Sequence, residues 1–324
     1  MPELPEVEVV RAGLAPAVAG ATVVAAEVFD ARSLKRHISR AEQAAPARPA
    51  AAAGHGRTLS PEIQALRQTD FESRITGVQL DAPARRGKFL WIPIAGSGTA
   101  LLAHLAMSGQ LLLRAPDAPE DKHVRIRLWV ETASAGQVRL DFADQRRFGS
   151  LAIDSLVPTA DGFAAGWGTE LPLLPGQAAH IGRDLLDPVF DFKTAAKSLK
   201  LRQTALKKLL LEQSLFSGIG NIYADEALWQ AGLHPETAAH RVSAARLEAL
   251  LRAAAEVMQH ALAQGGTSFD AQYVNVDGEA GYFARDLNAY GRAGKPCLRC
   301  GTEMTAQIIG GRSSTFCPNC QKRR

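Results

Sequence analysis

Apolar residues recur at Val7, Val10, Leu14 and Val18, the spacing of one helix face, and predict a helix over Leu4–Val18. Glu3, Glu6 and Glu8 fall around its first turn, where carboxylates complement the helix dipole. From there to about residue 155 the pattern is strand-like. VRIRLWV (124–130) and VRLDF (138–142) alternate apolar and polar residues about a Gly-containing turn, and LLAHLAMSGQLLL (101–113) reads as two short strands around a turn at Ser108-Gly109. Residues 41–53 hold eight alanines, with prolines and no apolar periodicity, so roughly 39–66 reads as a flexible or partly helical insertion without chemistry. The second half is helical: TALKKLLLEQS (204–214) is an amphipathic helix ending before LFSGIGN, and NIYADEALWQAGL (221–233) starts another with Asn221 as its cap. A further helix covers about 243–263, followed by a polar, Gly-rich loop at 265–281. Helix, glycine-rich turn, helix is a unit that either offers backbone amides to a phosphate or simply packs.

Composition adds exclusions more than assignments. The chain has 324 residues, 46% of them apolar, enough for about two domains. No run approaches the ~18 apolar residues of a membrane span, and the start MPELPEVEVV lacks the basic, then apolar, pattern of a secretory signal, so a cytosolic protein is expected. The net charge of +4 is unevenly spread: residues 285–324 carry eight Lys/Arg against two Asp/Glu, and residues 193–211 carry six Lys/Arg and no acid. Two basic blocks fit a polyanion partner, and they fit solvated helix faces equally well.

The cysteines are more specific. Cys297-x2-Cys300 and Cys317-x2-Cys320 are separated by sixteen residues, with Gly301 and Pro318 suited to knuckle turns. Two such knuckles on a hairpin place four thiolates tetrahedrally around one zinc ion, with no open position, so a structural zinc is expected rather than a redox pair. At the other end, removal of Met1 would leave Pro2 with a free secondary amine. An α-amine has a pKa near ~8 and can form a Schiff base, with Glu3 beside it as acid or base.

MPELPEVE at the start, RRGKFL (85–90), HLAMSG (104–109), DQRRFG (144–149), GIGNIYADEAL (218–228), GYFARDLNAYGRAGKPC (281–297) and the four-cysteine ending occur in this order. Together they closely resemble the bacterial formamidopyrimidine-DNA glycosylases, over essentially the whole chain except 39–66 and a weaker stretch around 155–190. The resemblance implies an α+β multidomain fold. Residues 2–155 would form a catalytic β-sandwich with flanking helices, 156–284 a helix–two-turn–helix domain, and 285–324 a zinc-finger hairpin. It also implies damaged double-stranded DNA as partner, a monomer, one structural zinc and no organic cofactor.

By the same resemblance Pro2 is the nucleophile and Schiff-base former, Glu3 the general acid/base, Lys88 the proton donor for β-elimination, and Arg312 the finger arginine that grips phosphate and assists δ-elimination. Extrusion of a nucleotide leaves a gap to be filled, and Met107, Arg146 and Phe148 match the void-filling and wedge residues. Read without the family, Met107 and Phe148 would be core side chains. His104, His123, Arg202, Asn221 and Tyr290 match positions that hold the DNA backbone, and 265–281 matches a lesion-capping loop expected to be mobile without DNA.

The sequence departs from the family pattern in places. LGMSG is LAMSG here, DPRRFG is DQRRFG, and KHxH is KHVR, with Arg125 keeping positive character. The start PELPE, rather than PEGPE, and the long loop favour the oxidised-purine branch over the sister glycosylases for oxidised pyrimidines, the endonuclease VIII type. Retention of Pro2, Glu3 and Lys88 together argues against a non-catalytic zinc-ribbon DNA-binding protein.

Overall fold

The helix expected from the Val7–Val18 periodicity forms as α1 (Leu4–Val18), with Val7, Val10 and Leu14 buried on one face. In this computed structural model, residues 2–44, 59–132, 136–266, 276 and 286–323 are described. They divide into two units: Pro2, Val7–Ala179 and Val276 in one, and Glu3–Glu6, 180–266 and 286–323 in the other.

The first unit packs two antiparallel sheets face to face. One has the order β1 (Thr22–Val28), β6 (Val124–Thr132), β7 (Gly136–Asp144), β5 (Gly109–Arg114). The other runs β2 (Ala84–Arg86), β3 (Phe89–Ile94), β4 (Thr99–His104), β8 (Ser150–Pro158), β9 (Leu173–Pro175). Ile126, Leu128, Leu140 and Phe142 from the first sheet meet Leu90, Ile92, Leu101 and Ile153 from the second in one core, closed by α1 and by Phe71 and Ile75. The sequence alternation on β6 and β7 implies a wet outer face. Instead Arg127, Arg139 and Asp141 are buried there, because Asp141 accepts from Arg127 Nε and Arg139 Nη2, each at 2.8 Å.

Residues 101–113 do form two strands around a turn, but β4 and β5 belong to different sheets. The turn at 106–108 therefore carries the chain across the sandwich instead of closing a hairpin. Ala106, where the family pattern has glycine, sits there at φ +54°. A left-handed conformation costs a non-glycine residue roughly 1–2 kcal/mol. Ala106→Gly is expected to raise unfolding stability by about 0.5–1 kcal/mol after the added chain entropy is subtracted. A lower chemical-denaturation midpoint would show that the methyl group contributes more packing than strain.

The ends of the 39–66 segment are anchored. α2 (Arg40–Ala44) and α3 (Pro61–Ile75) flank the part at 45–58 that lies outside the described residues. Arg67 Nη2 meets Glu42 at 2.8 Å, and Arg67 Nη1 donates to the Leu34 and Lys35 carbonyls. His37, fully buried, accepts from the Ile153 amide through Nδ1 and contacts Asp70 through Nε2. Removing 41–65 would strip Arg67 of the Glu42 carboxylate.

The second unit is helical: α4 (Phe192–Lys200), α5 (Leu206–Leu210), α6 (Asn221–Gln230) and α7 (Ala244–Ala263), followed by the hairpin β10 (Thr305–Ile309) and β11 (Arg312–Phe316). Leu4 joins its core with Leu210, Phe216, Tyr223 and Leu251. The helix expected over 204–214 shrinks to α5, whose first amides, of Leu206 and Lys207, donate to the Thr237 and Pro235 carbonyls. No helix of the described residues is long and apolar enough to cross a membrane.

Candidate active-site residues and metal centre

In the first unit, strand register brings the sequence-predicted residues to one end of the sandwich. Lys88, half-buried, follows Gly87 in the two-residue turn between β2 and β3; Gly87 has φ +54°, as the first position of such a hairpin turn requires. Phe89 pairs with His104, and His104 with Ser150, so the Lys88 turn, the end of β4 and the start of β8 lie side by side. The Phe89 and His104 rings are 5.0 Å apart. Met107, half-buried, lies in the turn that follows. Arg146 and Phe148 are exposed in the loop before β8, with the guanidinium 5.3 Å from the Phe148 ring centre. The His123 carbonyl accepts from the Asp144 amide, which adds His123 to this end. Pro2 is buried in the same unit.

Arg125 keeps the positive charge expected at that position. It is buried, donating to the Asp144 and Lys122 carbonyls, so its charge secures backbone rather than facing outward.

In the second unit, the N-terminus of α6 is the organising feature. Gly220, not Asn221, is its N-cap, and it has no side chain to cap with. Glu3 does that work from far away in the chain: Gly220 N donates to its carboxylate at 2.6 Å, Ile222 N at 2.9 Å and Tyr223 N at 3.4 Å. These are amides that a helix leaves unpaired, at the end where negative charge is favoured. Glu3 is only 2% exposed. Its own amide donates to Glu6, and Glu6 accepts from the Tyr223 hydroxyl at 2.8 Å. Asn221, at the first helical position, donates through Nδ2 to the Ser313 carbonyl at 2.8 Å, next to Arg312.

Two buried carboxylates, not recognised from sequence, lock this region. Asp225 pairs with Lys207 and accepts hydrogen bonds from the Ser314 hydroxyl at 2.7 Å and the Thr315 amide at 3.0 Å, tying α5, α6 and β11 together. Burial pushes the Asp225 carboxyl up and the Lys207 amine down. Glu226 accepts from the amides of Asn288, Ala289 and Tyr290, which sets Tyr290 near Asn221; burial raises the Tyr290 phenol. Only the run of acids in NIYADEAL signals either residue in the sequence. Arg202 is exposed after α4, its carbonyl accepting from His240 N, and Arg312 is exposed at the start of β11. The loop expected over 265–281 lies outside the described residues except for 265, 266 and Val276.

The sulfurs of Cys297, Cys300, Cys317 and Cys320 all lie within 4.8 Å of one another. Tetrahedral thiolates on zinc at ~2.3 Å stand about 3.8 Å apart, so the set fits that ion. Hydrogen bonding from Thr302 lowers the Cys300 thiol to about 5, while burial and neighbouring sulfurs push Cys320 to about 12. Four thiolates cannot share this space without a cation, and zinc supplies it. Trp229 Nε1 donates to Cys297 Sγ at 3.4 Å, and Ala289 and Met304 fill the small core behind. Cys317→Ser is expected to lose stoichiometric zinc and weaken DNA binding while the sandwich stays folded; full zinc content by metal analysis would refute the assignment.

The described residues thus combine a β-sandwich, a glycine-entered helix that holds a carboxylate, and a hairpin with four clustered thiols. Three family profiles match: the formamidopyrimidine-DNA glycosylase N-terminal domain over residues 1–60 and 55–151, the H2TH domain of the same enzymes over 181–272, and the zinc finger found in FPG and IleRS over 294–323. The formamidopyrimidine-DNA glycosylase of Leifsonia xyli subsp. xyli is 52% identical over 323 residues, covering 99% of this chain and 100% of that one. The Thermobifida fusca enzyme of that name is 47% identical over 328 residues, covering 100% and 98%. Among solved structures, Lactococcus lactis Fpg in complex with abasic-site DNA superposes with a TM-score of 0.74 at 27% identity, covering 99% and 100%. Its complex with Fapy-dG DNA gives the same values. The chain belongs to the formamidopyrimidine-DNA glycosylase family.

Proposed function

We propose that the protein is a bifunctional base-excision glycosylase that removes oxidised purines, 8-oxoguanine and formamidopyrimidines, and then cleaves the strand by β,δ-elimination. The observation that carries this reading is the Glu3 carboxylate, held by α6 amides and joined through one peptide bond to Pro2. A carboxylate so held is fixed in orientation, and general acid/base catalysis needs a positioned group.

In this reading the Pro2 nitrogen attacks C1′ as the damaged base leaves with a proton; the C1′–O4′ bond then opens, O4′ taking a proton, to give an iminium, and loss of the acidified C2′ proton expels the 3′ phosphate by β-elimination. Lys88 donates the proton for that step, and Arg312 assists the second elimination. Met107, Arg146 and Phe148 fill the gap left by the extruded nucleotide, while His104, His123, Arg202, Asn221 and Tyr290 hold phosphates. The expected catalytic segment 2–155 extends to Ala179, because β8 and β9 complete its second sheet; it carries the chemistry, with the remainder of 156–284 and 285–324 gripping the duplex. The protein works as a monomer on chromosomal DNA in the bacterial cytoplasm.

Borohydride trapping on panels of oxidised purines and oxidised pyrimidines tests the reading. Adducts with 8-oxoguanine and formamidopyrimidine duplexes support it. Preference for oxidised pyrimidines would place the chain with the endonuclease VIII type, and no adduct on any lesion would leave a DNA-binding protein.

A further inference from the structure

Asp144 is fully buried, and its carboxylate reaches two loops at once. Ser108, in the β4–β5 turn, donates its hydroxyl to Oδ1. Arg146 N donates to the same oxygen at 3.1 Å and to Ser108 Oγ at 3.0 Å, and Gly149 N donates to Oδ2 at 2.6 Å. One carboxylate thus closes the 144–149 loop at both ends and bolts it to the turn that carries Met107.

The remaining residues of the loop are held as well. Lys35 Nζ donates to the Arg147 carbonyl at 3.2 Å and to the Phe148 carbonyl at 2.7 Å, and the Arg147 guanidinium meets Asp30 at 3.2 Å. Arg125 holds the Asp144 carbonyl. Arg147 sits at φ +60°, a strained conformation that persists only where its surroundings impose it. A Cβ at Gly149 would lie 2.8 Å from Phe142, 3.0 Å from the His104 carbonyl oxygen and 3.1 Å from Asp144 Oδ2, so glycine lets the loop pack closely against all three. Against this fixed backbone, the Phe148 side chain is 46% exposed.

We propose that Asp144 and Ser108 are positioning residues that join the Met107 turn and the Arg146–Phe148 loop into one preformed wedge. The inference rests on the reading of Met107, Arg146 and Phe148 as gap-filling residues. Two loops that ordered separately on DNA would each lose conformational freedom during helix opening; a single preset body has already lost it.

The test uses the full-length protein and a duplex with 2-aminopurine beside 8-oxoguanine, whose fluorescence reports unstacking in stopped flow. Ser108→Ala and Asp144→Asn are expected to slow opening by about tenfold, the effect of one or two lost hydrogen bonds. Trapping on a single-stranded abasic oligonucleotide, which requires no opening, is expected to stay near the parent rate. Ser108→Thr, which restores a hydroxyl, is expected to recover opening. Unchanged opening in both variants, with Phe148→Ala still slow, would overturn the inference alone. Unchanged opening in Phe148→Ala and Met107→Ala too would overturn the gap-filling reading beneath it. Equal loss of opening and trapping would show a merely structural role and reject the proposal.

Discussion

A version of the protein extended by residues ahead of Pro2 is expected to form no borohydride-trapped adduct on any lesion. The extension turns the Pro2 nitrogen into a tertiary amide, which has no lone pair available for attack at C1′. Pro2→Gly keeps a terminal amine, but a primary and less constrained one, and is expected to retain reduced trapping. Both variants should still bind damaged duplex, because Arg202, Asn221 and Arg312, the proposed phosphate contacts of the second unit, are untouched. The measurement is adduct yield on 8-oxoguanine and abasic duplexes beside binding by gel shift. Normal trapping by the extended protein would assign the Schiff base to a lysine, with Lys88 first in line.

The second large effect is expected at Gly220. Its φ of −126° suits any residue, so conformational freedom does not explain the glycine. Space does: a Cβ there would lie 2.3 Å from the carboxyl carbon of Glu3. In Gly220→Ala the carboxylate must therefore leave the amides of Gly220, Ile222 and Tyr223 that hold it. Base removal is expected to fall by ~10²–10⁴-fold, the usual weight of general acid/base catalysis. Strand cleavage at a pre-formed abasic site, where the aldehyde is already exposed, should be largely spared. Glu3→Gln should follow the same pattern for a related reason: both carboxylate oxygens accept amide protons, and an NH2 in place of either opposes a donor. Loss of the cap also costs α6 about 1 kcal/mol, which the intact zinc content and a modest fall in melting temperature would register. Excision at the parent rate in Gly220→Ala would show that the placement of Glu3 is immaterial.

Much of the candidate site was legible because its residues sit in short motifs whose chemistry is local. The four cysteines announce a tetrahedral ion by spacing alone, and MPELPEVE, RRGKFL and DQRRFG carry the resemblance that implied Pro2, Lys88, Arg146 and Phe148. The helices α1 and α7 were legible because amphipathic periodicity is a property of consecutive residues. Asn221 was read as a helix cap by the same local logic, and there the logic failed. The capping group is Glu3, more than two hundred residues away, and no window along the chain contains both.

What the chain determines by itself, then, is the set of elements with strong local periodicity, the metal ligands, and the motif residues at loop tips. Tertiary structure decided which sheet each strand joins, so that β4 and β5 diverge across the sandwich instead of forming a hairpin. It also decided where isolated polar residues spend their hydrogen bonds. Asp144 closes two loops, Asp225 joins a helix to the finger hairpin, and Arg125 turns inward to backbone carbonyls. The physical reason is common to all three. A buried charge is tolerable only where donors or acceptors from distant segments converge on it, and that convergence exists only once the chain has folded.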